Sequence, residues 1–182
     1  DQGKGVLFVY GNYSGDNLNF DLAEELCRQE GIETAHVRVR DDIASAPPDR
    51  WKDRRGVAGD VFTIKIAGAA CDQGLTLEQV RKAAEEARNN TYSIGVATAP
   101  GTLPGNPRPT FELKEDEMEY GVGIHGEPGI ERTKMKSCSE IVSRLYHELK
   151  TEMNLNEGDE ICILVNGLGS TPLLSLNLAY LE

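Results

Sequence analysis

The feature that most constrains this chain is a change of hydrophobic period, repeated twice within its first 40 residues. Residues 6–10 form an unbroken apolar run of strand length that ends at Gly11. Over 17–30 the period becomes helical: Leu18, Leu22, Ala23, Leu26 and Cys27 share one face, and Gly31 stops the pattern. Over 34–40 the chain alternates, with Ala35, Val37 and Val39 on one side and His36, Arg38 and Arg40 on the other. Strand, helix and strand in that order predict a βαβ unit with parallel strands and a right-handed crossover.

The same reading extends along the chain. Residues 41–53, with Pro47, Pro48 and four acidic residues, predict a loop, and 57–71, rich in Ala, Gly and Ile, predict a buried helix. Thr76 and Gln79 make a capping box ahead of Leu77, Val80, Ala83, Ala84 and Ala87 on one helical face, which Asn89-Asn90 ends. A strand over 92–97 precedes residues 100–109, whose four prolines suit an interdomain linker or ordered bridge. Beyond it, a Gly-interrupted strand over 118–124 runs into HGEPG. A second capping box, Ser137 with Glu140, opens a helix that turns Ile141, Val142, Leu145, Tyr146, Leu149 and Met153 inward. A turn at 157–159, a strand over 161–165, the loop NGLGSTP and a last helix complete the order. The expected class is α/β: parts of two α/β domains, 1–100 and 101–182, with mainly parallel or mixed sheets and flanking helices.

Composition excludes several functions. With 19 basic and 30 acidic residues the net charge is -11, and no basic stripe offers a footprint for nucleic acid. No apolar run reaches membrane-spanning length. The cysteines at 27, 71, 138 and 162 have neither zinc-ligand nor disulfide-framework spacing. They read as reduced thiols of a cytoplasmic protein with no bound metal, Cys27 and Cys162 being small buried hydrophobes.

Few positions carry chemistry. His36 and His147 fall on polar faces and read as surface residues. His125 sits in GIHGEPG, where small neighbours leave the imidazole approachable and Pro128 restricts the turn. Asp16 ends the strand-to-helix loop GNYSGD; an N-cap carboxylate explains it, and so does a base at a strand C-terminal end, where open α/β sheets bind ligands. The loops GNYSGDN and NGLGSTP could cradle a phosphate, but neither matches a nucleotide-binding fingerprint. Arg54-Arg55 reads as a solvated turn or an anion site.

Taken together, GNYSGDNLNF, RRGVAGDVFTIKIAGAA, SIGVATAPGTLPG, MEYGVGIHGEPGIER and NGLGSTPL resemble, in that order, the substrate-binding subunit of the dihydroxyacetone kinase family. The resemblance runs through nearly all of the chain and implies an internal fragment of a longer protein. It implies two α/β domains with substrate between them and a homodimer. It also implies that His125 captures a small ketose as a covalent hemiaminal and that Asp16 contacts the terminal hydroxyl as base. Gly11 stands where some members carry a substrate-contacting lysine. An upstream histidine of the family site precedes the first residue here. No cofactor is expected on this chain itself. The implied phosphoryl donor is ATP on a fused domain or an ADP-bearing phosphotransferase subunit. A ketose-sensing regulatory paralogue without catalysis, and a nucleotide-binding α/β domain of another class, are the alternative readings.

Overall fold

A computed structural model describes residues 3–102 and 104–182. The chain divides into two compact units, 1–42 with 50–93 and 43–49 with 94–182. The proline-rich stretch 100–109, of which residue 103 lies outside the described residues, falls within the second.

In the first unit, β1 (Val6–Gly11), α1 (Ser14–Gln29) and β2 (Thr34–Val39) realise the βαβ pattern. The strands pair in parallel, from Val6 opposite Thr34 to Gly11 opposite Val39. Residues 41–53 are not all loop, because Pro48–Asp53 forms 3-10 turns. Helices α2 (Gly59–Asp72) and α3 (Leu77–Asn89) follow. The core is Val37, Ala67, Ala70, Val80 and Ala84, with Leu7, Val9 and Ala83 against it. Alanines on both helices let the backbones approach closely, consistent with a chain that has only 6% aromatic residues. The Thr76–Gln79 capping box is present in full.

Two helical faces differ from the sequence expectation. The inner side of α1 is Phe20, stacked on Tyr10 at 4.2 Å, together with buried Glu24; Leu18, Leu22 and Leu26 are 73%, 59% and 54% exposed. Cys27 is only half-buried. Helix α2 is buried along Gly59, Thr63, Ala67 and Ala70 alone, and Val61, Ile64 and Ile66 face out.

In the second unit, β3 (Val96–Ala97), β4 (Glu117–Tyr120) and β5 (Glu131–Lys134) form an antiparallel sheet in that order. The strand expected over 92–97 shrinks to two residues, and the one expected over 118–124 ends at Tyr120, before Gly121 turns the chain with φ +76°. β5, with its charged sequence ERTK, carries no apolar alternation and has no counterpart in the sequence reading. Helix α4 (Cys138–Met153) opens on the Ser137–Glu140 capping box and lays Arg144 over the Tyr120 ring at 3.8 Å. Its apolar face is half-buried rather than buried, and Tyr146 is exposed. Residues 161–165 pair with no strand among the described residues, which leaves Ile161, Ile163, Leu164 and Cys162 exposed. The chain ends with α5 (Leu173–Leu181). Among the described residues, no helix is long and apolar enough to cross a membrane.

Candidate functional site

Each unit carries one chemistry-bearing loop. In the first, β1 ends against the segment 52–56. Asn12 donates its side-chain amide to the carbonyls of Arg54 (2.8 Å) and Lys52 (3.2 Å), and Tyr13 donates its hydroxyl to that of Gly56 (2.9 Å). A Cβ on Gly56 would lie 2.5 Å from the Gly11 Cα, so this crossing requires glycine. Gly11 is buried, and a Cβ there would meet Asp60 Oδ2 and Tyr13 at 3.3 Å and the Gly56 carbonyl at 3.4 Å.

Asp16 is half-buried in the first turn of α1, favourably placed for the helix dipole. It is not the N-cap; that position is Tyr13, because the helix begins two residues before Asp16, at Ser14. The carboxylate with a capping role is Asp41, fully buried, which accepts from the amides of Val57 (2.9 Å) and Gly59 (2.8 Å) at the entrance to α2. Asp60, in the first turn of α2, completes an acidic group. Burial, then the charges of Asp41 and Asp16, push its carboxyl up to about 6. Arg54-Arg55 is no solvated turn: Arg54 is 2% exposed, and Arg55 binds buried Asp42 at 2.7 Å.

In the second unit, His125 stands on a loop whose shape is set by glycines. Gly126 adopts φ +87° against Thr110, and a Cβ on Gly129 would lie 2.0 Å from the Tyr120 carbonyl. Glu119, on β4, anchors the far side by accepting from the Gly129 amide (2.7 Å) and from Arg132 (2.6 Å). Glu127 anchors the near side: its Oε2 accepts from the His125 amide and its Oε1 meets Nδ1, both at 3.0 Å. Although burial pushes the Glu127 carboxyl up, hydrogen bonds from its own backbone and from His125 hold it below the ordinary carboxylate range. An ionised carboxylate can only accept, so Nδ1 carries the proton in this contact. In the neutral tautomer with its proton on Nδ1, an imidazole has its lone pair on Nε2. His125 is 55% exposed at the side chain. The arrangement is an exposed imidazole with its Nδ1 held by an adjacent acid.

His36 is not a plain surface residue; its Nδ1 meets buried Glu24 at 2.6 Å. His147 is exposed, as expected. Glu127, Asp41, Asp60 and Glu119 also shape these loops, and none of them was expected from the sequence. Only Glu127 left a signal, two positions after the histidine inside the same glycine-bounded loop.

Comparison with known proteins agrees across the whole length. The chain is 47% identical over 180 residues to "PTS-dependent dihydroxyacetone kinase 2, dihydroxyacetone-binding subunit DhaK" of Listeria innocua serovar 6a, covering 99% of this chain and 54% of that protein. It is 40% identical to "L-erythrulose 1-kinase" of Mycolicibacterium smegmatis, covering 99% of this chain and 32% of the relative. The solved structure of "Dihydroxyacetone kinase operon co-activator Dha-DhaQ" superposes with a TM-score of 0.89 at 34% identity, covering 99% of this chain and 56% of that one. The chain thus spans about half the length of the DhaK relative. The Dak1 domain family matches residues 1–182. This chain belongs to the Dak1 domain family, and the curated relatives named above are a dihydroxyacetone kinase subunit and an L-erythrulose kinase.

Proposed function

We propose that this chain is the ketose-capturing part of a dihydroxyacetone kinase. The observation that carries the reading is the contact of His125 Nδ1 with Glu127, which leaves Nε2 as the nucleophile. Its lone pair adds to the substrate carbonyl carbon, and the carbonyl π pair moves to oxygen, which takes a proton from solvent. The ring becomes cationic, stabilised by Glu127, and returns to neutrality as Nδ1 releases its proton. Glycerol has no carbonyl to accept the nitrogen, so capture selects by chemistry. Asp16 serves as the base on the terminal hydroxyl, and Gly11 stands where some members of the family carry a substrate-contacting lysine. The phosphoryl group arrives from a nucleotide-bearing partner subunit or fused domain, and the working unit is a homodimer.

The test uses dihydroxyacetone isotope-labelled at its carbonyl carbon. Bound to the wild type, the label gives a tetrahedral-carbon NMR signal; His125→Ala loses it, and a persisting signal would refute the assignment. Asp16→Asn keeps the signal and, with the donor subunit added, slows transfer by about 10²-fold.

The likeness to the operon co-activator supports a second reading, ketose sensing without transfer. Both readings require the adduct. Phosphoryl transfer with a donor subunit separates them, since a sensor forms the adduct and turns nothing over.

A further inference from the structure

Three cations gather on one indole in the first unit. Arg40 Cζ, Lys52 Nζ and Arg88 Cζ lie 5.6, 5.8 and 5.9 Å from the Trp51 ring centroid. Arg40 directly follows β2, Trp51 and Lys52 belong to the 3-10 segment, and Arg88 is in the last turn of α3. Both arginines are half-buried.

Their isolation is unusual in a chain with a net charge of -11. Other half-buried arginines find carboxylates: Arg38 on Asp21 (2.5 Å), Arg55 on Asp42 (2.7 Å), Arg81 on Glu78 (2.8 Å) and Arg144 on Glu131 (2.9 Å). Arg40, Lys52 and Arg88 have no ion pair among the described residues, and Arg40 Nε is buried there without a hydrogen-bond partner. Arg88 donates only to the neutral Asn89, at 3.1 Å. The acid that most favours its charge, Glu85, is held by Arg81 at 2.7 Å. Asp53 acts on Arg40 only through space.

Burial lowers the pKa of both guanidiniums, and Arg88 lowers that of Arg40 further. An indole face attracts a cation but cannot neutralise three. Half-buried like charges without a counter-ion are costly, and paired guanidinium forks fit a tetrahedral oxyanion. We propose that Arg40, Lys52 and Arg88 around Trp51 form a binding site for a phosphate-class dianion. The site is tied to the Asp16 loop through the Asn12 bond to the Lys52 carbonyl, yet it stands independently of the kinase reading.

The test titrates inorganic phosphate into the intact chain, by calorimetry and thermal melting, with chloride holding ionic strength constant. Phosphate binds saturably and raises Tm. Arg40→Gln and Arg88→Gln each weaken binding about tenfold or more, whereas Lys65→Gln, an exposed lysine on α2, leaves it unchanged. Arg88→Gln melts no lower than wild type in chloride, because it relieves repulsion, so misfolding does not account for the loss. ADP and a triose phosphate, titrated in the same way, identify the phosphate source by the tighter binding. Phosphate acting no differently from chloride, or binding that survives both glutamine variants, would overturn the site.

Discussion

Asp60 shows how a single residue sets a pH response. Its carboxyl is pushed up to about 6 from 3.8, by burial first and then by Asp41 and Asp16. Between those values the folded chain holds a proton that the unfolded chain has released. The folded state then binds more protons, so stability falls as pH rises through this window, and the penalty persists above it. Asp60→Asn removes the ionisation while keeping the shape. Urea unfolding should show a flatter pH dependence between about 4 and 6 and a gain of about 1–2 kcal/mol at pH 7, after allowance for solvent screening. An unaltered pH profile would place the source of the slope elsewhere. Residues of this kind explain what the sequence concealed at the site. The sequence singles out His125 because glycines bracket it, and Asp16 because it follows a strand-to-helix loop. Asp41 and Asp60 stand among many acids, and their importance comes from burial, which no local pattern encodes.

At the scale of elements, periodicity identified which residues share a face but not what that face meets. The three leucines of α1 have helical spacing, yet the sheet receives Phe20 and Glu24, because Tyr10 stacks on Phe20 and His36 pairs with Glu24. The run over 161–165 has strand composition, but a strand needs a partner, and none of the described residues supplies one. β5 was illegible for the opposite reason: its residues are charged, and its place follows from the register of Glu117–Tyr120 against Lys134–Glu131. Capping chemistry is local and was read correctly in both cases. Thr76 and Ser137 accept from the N3 amides of their helices at 3.4 and 3.3 Å, each reciprocated by Gln79 or Glu140. Thr76→Ala and Ser137→Ala should each cost about 0.5–2 kcal/mol, measured by denaturant unfolding. A loss below that range would show that the exposed boxes add nothing beyond water.

For the molecule as a whole, the balance of buried and exposed apolar surface is the informative quantity. The buried hydrophobic residues are mostly alanines and valines, while large ones remain outside. Leu18, Leu22 and Leu26 line one edge of α1, and Leu173, Leu174, Leu178 and Leu181 lie along α5. Residues spaced by four are neighbours on a helix, so the α1 leucines form one continuous stripe. An exposed apolar patch of this kind binds hydrophobic ligands. The chain should therefore enhance and blue-shift the emission of Nile red, an uncharged dye that the net charge of -11 does not repel. Replacing Leu18, Leu22 and Leu26 with Gln should lower that emission and leave far-ultraviolet circular dichroism unchanged. Glutamine is a good helix former, and Phe20 still packs on the sheet. Each substitution should change stability by no more than about 0.5 kcal/mol, the usual range for surface positions. If the triple variant instead unfolds, or binds the dye as well as the parent, the leucine stripe is covered in solution and α1 packs through it.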